Sequence, residues 1–409
     1  MIVKSTLDTG VRILTEVVPS ARSVSVGVWV GVGSRNDAAA QAGVSHLVEH
    51  MVFKGTARRS MHRIARRMED VGGYLNAFTA KEHTCYHARA LDTCLSRALD
   101  TICDLVCAPV FPESELEKEK TVVLEEMKMY EDSPEDHIFD RFESVVFRNH
   151  ALGRPVIGFA DTVAGLRRAD LCEFVRQNYT PNRLVVSAAG NLEHETVTCE
   201  ARDLLDGLSE VPSDAPEYAR PDYVPAELIE NRPVQQAHLV LGRRGISVTS
   251  SRHAILRVLN TVLGGGMSSR LSQNIREQFG FCYNIFSFMN MHSDCGDFGV
   301  YMGTDATRVD RAQELIFREL DQLMQQPLKE TTLRRAKNQL KGSLIMDLEN
   351  LTSRMQRLAR QELMLGRLIT LDEDLAAIDQ VSAQDVHELA QQLFEPSLFS
   401  RVVFLPGAA

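Results

Sequence analysis

The alternation of apolar and polar residues near the N-terminus predicts a buried strand. Residues 11–32 alternate with a period of two, and the five valines between positions 24 and 32 share one strand face. Gly33 to Asp37 ends this strand. In later segments the apolar residues recur with either a helical or a strand-like period. Helices are predicted over 45–56, 61–71, 91–107 and 113–131, and paired strands over 74–79 and 83–90.

The same plan recurs in the second half of the chain. Residues 170–190 and 385–407 each describe a helix, a proline turn and an apolar strand that closes with a glycine. A strand, a turn and an apolar helix lie near the front of each half, at 24–53 and 236–266. The repeat predicts an α+β protein of two homologous domains, each a mainly antiparallel sheet packed with helices. Their predicted bounds are 1–210 and 233–409, with a proline-rich linker at 211–232.

Composition narrows the class of protein. The net charge of −10 over 409 residues argues against nucleic-acid binding and is compatible with cationic peptides. The chain contains no apolar run of about 18 residues, so no membrane span is expected. The eight cysteines form no C-x-x-C pair, which favours reduced thiols. The first residues resemble neither a signal peptide nor a transit peptide. We therefore expect a cytoplasmic protein, or a mitochondrial matrix protein if a transit peptide has been removed.

The segment 45–56 carries the candidate chemistry. On a helix, His46 and His50 project from one face, and Glu49 lies beside them. Two imidazoles at this spacing are half of a zinc site, and the adjacent carboxylate can take a proton from water. The H-x-x-E-H order is the inverzincin signature, whereas a surface helix with two solvated histidines is the alternative. The corresponding helix of the second half, at 258–263, lacks these histidines.

A third ligand is expected from the acidic helix at 113–131. Glu119 and Glu126 are seven residues apart and share a face, and the helix is partly apolar in its second half. By chemistry alone, Glu125 and Glu126 are equally good ligands. The alternative is a charged, solvated helix.

Together the segments 46–56 and 72–79 and the pair Glu119 and Glu126 resemble the pitrilysin-type metallopeptidases. The similarity extends over essentially the whole chain, and the short two-domain bacterial members and the mitochondrial processing peptidase β-subunit are the most similar. The resemblance implies one Zn²⁺ per chain on His46, His50 and Glu126, with Glu119 supporting the ligands and Glu49 as the base.

The resemblance also implies substrate contacts. The strand over 74–79 resembles the family's edge strand for peptides, so Asn76, Ala77 and Phe78 are expected to bind substrate, although an ordinary sheet strand is the alternative. Arg276 and Tyr283 resemble a pair of the family that binds the substrate backbone and the oxyanion. The alternative is a surface arginine beside a core tyrosine.

The acidic run at 131–136 is typical of a solvated loop. Asp136 and Asp140 nevertheless match positions at which the processing peptidase holds a substrate arginine. They predict a preference for arginine shortly before the cleaved bond.

The function predicted from these residues is a zinc endopeptidase acting on short or unfolded peptides inside a chamber formed by a homodimer. Two alternatives remain. One is a non-catalytic core or scaffold subunit, and the other is a catalytic subunit that needs a different, related partner chain.

Overall fold

The computed structural model describes residues 1–208 and 218–407, so part of the predicted linker, 211–217, lies outside the described residues. The strands are β1 (Ile2–Thr6), β2 (Arg12–Val17), β3 (Ser23–Val30), β4 (Tyr74–Thr79), β5 (Thr84–Leu91), β6 (Leu184–Gly190), β7 (Glu227–Arg232), β8 (Ala237–Arg244), β9 (Cys282–Met291), β10 (Gly296–Thr304) and β11 (Ser400–Pro406). The α-helices are α1 (Val44–Val52), α2 (Met61–Glu69), α3 (Leu95–Cys107), α4 (Glu113–Glu131), α5 (Pro134–Val146), α6 (Ala160–Gly165), α7 (Arg168–Asn178), α8 (His194–Leu204), α9 (His253–Gly264), α10 (Val309–Gln325), α11 (Glu330–Asp347), α12 (Leu351–Leu365), α13 (Leu371–Gln380) and α14 (Ala383–Leu393).

The first sheet has six strands in the order β1-β2-β6-β3-β5-β4. Only the β2–β6 pair is parallel; the other four pairs are antiparallel. The valines of β3 face a core that also contains α1 and α3, while Trp29 faces a second cluster on the other side of the sheet. A central strand covered on both faces is apolar on both faces, and β3 is buried at every position after Ser23.

The second sheet repeats this plan with five strands in the order β7-β11-β8-β10-β9. The β7–β11 pair is parallel, and the other three pairs are antiparallel. The predicted repeat is visible element by element, since α7 and β6 in the first half correspond to α14 and β11 in the second. The predicted fold class is therefore confirmed.

Contacts divide the described residues into two compact units that are discontinuous in sequence. The first unit comprises 1–128, 154–208 and 347–368, and the second comprises 129–153, 218–346 and 369–407. Helix α12 packs on β6, β3 and β2, while α5 packs on β8 and β11. Each unit thus takes one helix from the other half of the chain, which the predicted contiguous bounds do not include. The bounds 1–210 and 233–409 stay a prediction about the repeat.

The acidic run 131–136 is a loop only in part, because Asp132 and Ser133 connect α4 to α5 while residues 134–136 form the first turn of α5. Pro134 occupies the first turn of α5, with acidic residues beside it, and Ile138, Phe142 and Val146 are buried at helical spacing. All eight cysteines are free thiols. Among the described helices, none has the length and apolar content that crossing a membrane requires.

Candidate metal centre

The N-cap residue of α1 is Gly43, and the side chain of an earlier residue, Asp37, accepts the hydrogen bonds of this helix end. Gly43 has φ 95°, a left-handed conformation that glycine adopts without strain. Its N–H donates to Oδ2 of Asp37 (2.8 Å), and the Ser45 hydroxyl donates to the same oxygen (3.2 Å). Asp37 therefore satisfies donors that a helix N-terminus leaves open.

Three side chains from two helices converge to form a candidate metal site. His46 and His50 lie on one face of α1 with ring centroids 4.6 Å apart. Glu126 of α4 faces them, and one ligand atom from each of the three residues lies within 4.8 Å of the others. Within the described part of the chain, this is the one such group of metal-binding side chains.

Glu119 holds His50 from the side away from Glu126. The Nδ1 atom of His50 lies 2.9 Å from Oε1 of Glu119, while its Nε2 atom lies 3.6 Å from Oε2 of Glu126. An ionised carboxylate can only accept a hydrogen bond, so Nδ1–H of His50 is the donor to Glu119. In the neutral ring, the lone pair of Nε2 then faces Glu126. Lys54 pairs with the other Glu119 oxygen at 2.6 Å. Burial raises the pKa of Glu119, but these two partners outweigh burial, and the pKa is lowered.

The two histidines have different electrostatic surroundings in the metal-free protein. Burial, and secondarily His50, lowers the pKa of His46 to about 3, so its ring is neutral at pH 7. Burial also lowers the pKa of His50, but the Glu119 hydrogen bond and three nearby carboxylates outweigh it and raise the pKa.

Glu49 is half-buried beside the two histidines and bonded to the end of β4. The Thr79 hydroxyl donates to Oε2 of Glu49 at 2.6 Å, and the Thr79 N–H donates to the same carboxylate. Burial is the largest influence on the pKa of Glu49 and raises it, although Thr79 opposes this effect.

The residues of the site fit a zinc ion. Two ligands about 2.1 Å from a tetrahedral zinc lie about 3.4 Å apart, close to the 3.6 Å between His50 and Glu126. The buried Nδ1 atom of His46 has no hydrogen-bond partner among the described residues. Two neutral imidazoles and a carboxylate, with a second carboxylate orienting one imidazole, are typical of a catalytic zinc site.

The strand β4 lies at the edge of the first sheet, and some of its backbone groups point away from β5. Alternate residues of an antiparallel strand direct their backbone groups to the same side. The N–H of Ala77 donates to the side chain of Asn76 (2.9 Å), and the N–H of Thr79 donates to Glu49, so both point away from β5. Asn76 and Phe78 direct theirs towards β5. Of the three residues predicted to bind substrate, Ala77 offers outward backbone groups.

The other predicted substrate residues belong to the second unit. The guanidinium carbon of Arg276 lies 5.8 Å from the ring centroid of Tyr283, whose side chain is 87% exposed at the start of β9. Asp136 is exposed in the first turn of α5, where the Ser133 hydroxyl donates to it (2.6 Å), and Asp140 follows one turn later. The structure brings Arg276 and Tyr283 together, and the substrate roles of all four residues stay predictions.

Sequence reasoning missed three residues near the site: Asp37, Lys54 and Thr79. Lys54 follows His50 by four residues, so helical spacing places it near the histidine face and offered a signal. Thr79 acts on Glu49 from 30 residues away, and Asp37 acts on Gly43 across a six-residue connection without helical or strand periodicity, so the periodic patterns of the sequence indicate neither contact.

Comparison with protein families matches both halves of the chain. Residues 12–159 match the insulinase family, peptidase family M16, and residues 165–340 match the peptidase M16 inactive domain.

Relatives and solved structures agree with these matches. The uncharacterized zinc protease YmxG of Bacillus subtilis is 40% identical over 394 residues, 96% of each chain. An uncharacterized zinc protease of Streptomyces coelicolor is 40% identical over 97% of this chain and 88% of its own length. The fold matches a protease from Helicobacter pylori with a TM-score of 0.92 at 21% identity, over 99% of both chains. It matches a peptidase M16 inactive domain from Pseudomonas fluorescens with a TM-score of 0.93 at 20% identity, over 100% of this chain and 98% of the other. The predicted pitrilysin-type resemblance is confirmed, and the chain belongs to the insulinase (peptidase M16) family.

Proposed function

We propose that this protein is a zinc endopeptidase that hydrolyses short or unfolded peptides. The observation that carries the proposal is the convergence of His46, His50 and Glu126, with Glu49 held beside them. The family membership and the zinc protease names of its relatives support the same activity.

In the proposed site, His46, His50 and Glu126 hold one zinc ion, and Glu119 orients His50. Bound zinc supplies Lewis acidity, which polarises the scissile carbonyl and lowers the pKa of water. Glu49 takes the proton from the attacking water and returns it to the leaving amine. Since a base must be ionised to accept a proton, turnover should fall when acid protonates Glu49.

The substrate is proposed to add to β4 as a further strand. The outward backbone groups at Leu75 and Ala77 can pair with a peptide of almost any sequence, and Glu49 stands at the Thr79 end of the same row. This arrangement brings a paired peptide bond close to the base.

A cavity of about 270 Å³ beside β4 supports side-chain recognition. Its lining is mostly apolar and comes from the residues just after α1, from α2 and from the region around the start of β4: Phe53, Lys54, Met61, Ile64, Ala65, Met68, Glu69, Gly73, Tyr74 and Leu75. An apolar side chain of the bound peptide fits such a site better than a charged one.

The remaining parts of the proposal concern four residues of the second unit and the assembly of two chains. Arg276 and Tyr283 bind the substrate backbone and the oxyanion, Asp136 and Asp140 favour an arginine, and two identical chains form the chamber. The zinc residues and the Arg276–Tyr283 pair occur in one chain, which favours a homodimer over a heterodimer.

The test compares variants of the metal ligands with a variant of the base. Glu49→Gln should keep zinc and lose about 10²–10⁴-fold in kcat on a fluorogenic basic peptide, because only proton transfer is removed. Glu126→Gln and His46→Ala should lose both zinc and turnover. Zinc is measured by elemental analysis and cleavage positions by mass spectrometry, with and without a chelator.

The matched control is Glu125→Gln. Glu125 adjoins Glu126, but its side chain is exposed and paired with Lys128, so zinc and turnover should be unchanged. Zinc loss in the Glu125 variant with zinc retained in the Glu126 variant contradicts the proposed site.

Sedimentation of the pure protein tests the homodimer. A zinc-bound wild type that cleaves only after a related chain is added favours the heterodimer, and one that cleaves nothing favours a scaffold.

A further inference from the structure

The carboxylate of Glu49 has two donors from one residue. The Thr79 hydroxyl lies 2.6 Å from Oε2 of Glu49, and the Thr79 N–H donates to the same carboxylate. Glu49 stands on a helix and Thr79 on a strand, so these bonds join two elements. A carboxylate with two fixed donors has fewer accessible rotamers than a solvated one.

Thr79 is itself held firmly because it ends β4 at an anchored turn. The strand pairing closes with Thr79 opposite Thr84, and the Thr84 hydroxyl donates to the Val32 carbonyl (3.0 Å). The N–H groups of Ser34 and Arg35 donate to the carbonyls of Ala80 (3.1 Å) and Lys81 (2.8 Å). The turn after β4 is thus bonded to the segment that leads into α1.

A buried ion pair strengthens this anchor. The guanidinium of Arg35 lies 2.6 Å from Glu82, and both side chains are nearly inaccessible to solvent. The backbone also approaches closely, since a Cβ at Gly33 would lie 2.1 Å from the Ala80 carbonyl oxygen. Position 33 therefore requires glycine, and the turn cannot shift independently of the segment before α1.

We infer that Thr79 is a positioning residue for Glu49, whose hydroxyl holds the base beside the strand that receives the peptide. The inference rests on the proposed function and adds to it a residue that neither binds the metal nor reacts. Thr79 links the peptide-binding edge to the base, so the base is already oriented when a peptide pairs with β4.

The test compares Thr79→Val, which removes the hydroxyl, with Thr79→Ser, which keeps it. The backbone N–H persists in both variants. Thr79→Val should lower kcat about 10–100-fold, the range typical of losing a hydrogen-bond partner that orients a residue of a metal site. Its KM should change by less than about 3-fold, since peptide pairing is retained. Thr79→Ser should stay within about 3-fold of wild type in both constants.

Two further measurements separate positioning from a structural role. Zinc content should be the same in all three proteins. The affinity of the metal-free protein for a labelled peptide, measured by fluorescence anisotropy, should also be unchanged in Thr79→Val.

The outcomes distinguish the inference from the proposed function. A wild type that cleaves and a Thr79→Val variant of equal kcat contradict the inference alone. Equal losses in both variants, or a parallel loss of peptide affinity, show that Thr79 supports the strand and also overturn it. A zinc-loaded wild type that cleaves nothing contradicts the proposed function, and the inference falls with it.

Discussion

At the scale of single residues, Asp37 shows how burial can oppose capping. Its carboxylate accepts hydrogen bonds at the N-terminus of α1, where a negative charge is favourable. Burial nevertheless raises its pKa to about 7, because the bonds from Gly43 and Ser45 and the charge of Arg154 only partly offset desolvation. The folded protein therefore holds the Asp37 proton more tightly than the unfolded chain does. The stability that this difference in proton binding contributes is fully present below pH about 4 and is lost as the pH rises through about 7.

We expect Asp37→Asn to remove this pH dependence, because the amide oxygen keeps the acceptor without the charge. Relative to the variant, the wild type should lose up to about 4 kcal/mol between pH 4 and pH 8, from a shift of about three pKa units. Urea unfolding followed by Trp29 fluorescence at a series of pH values measures the difference. Asp132→Asn, at an exposed carboxylate, controls for net charge. A difference that is constant with pH contradicts the prediction.

Glu125 and Glu126 mark how far the sequence alone could define the site. Helical spacing predicts that His46 and His50 share one face, but it does not decide whether Glu125 or Glu126 is the third ligand. The family resemblance implies Glu126. In the structure Glu126 faces His50, while Glu125 points outward and pairs with Lys128. The burial of Val123 and Met127 could have favoured the stripe that also holds Glu119 and Glu126. Which element this stripe contacts, here helix α1, depends on tertiary packing and not on local pattern.

At the scale of elements, β4 has two different sides. Leu75 and Ala77 pack against the core that contains α1, whereas Phe78 packs in the cluster around Trp29. Among the described strands, none neighbours the backbone edge at Ala77. An unpaired edge is a natural acceptor for an extended peptide.

We expect Ala77→Pro to weaken peptide binding more than about 10-fold, because proline removes the outward N–H that a paired peptide needs. Proline is tolerated on edge strands whose N–H faces solvent, so folding and zinc content should persist. Ala77→Val, which keeps the N–H, is the control. Fluorescence anisotropy with a labelled peptide gives both affinities. If the proline variant binds as tightly as the valine variant, peptides do not pair with β4 at this position.

At the scale of the whole molecule, the chain is less modular than its repeat suggests. The repeat and the fold class followed from periodicity, because each half carries the same order of helices and strands. The association of 347–368 with the first unit did not follow, since an amphipathic helix does not specify which sheet it covers. Helix α12 brings Met355, Leu358 and Ala359 into the cluster with Trp29, and buried Glu362 pairs there with Lys4 at 2.7 Å. The unit that holds His46, His50 and Glu126 thus depends on a segment from the far end of the chain.

We therefore expect Met355→Ala to destabilise the first unit by about 2–5 kcal/mol, because a fully buried methionine leaves a cavity when it is truncated. Trp29 is the single tryptophan of the chain and lies in the same cluster, so its fluorescence reports the unfolding of this unit directly. Met346→Ala, at a side chain that is 64% exposed in the second unit, should leave the Trp29 transition in place. An unchanged urea midpoint in Met355→Ala would show that α12 adds nothing to the first sheet. A shift in Met355→Ala alone would show that the first unit is completed by a helix from the C-terminal half of the chain.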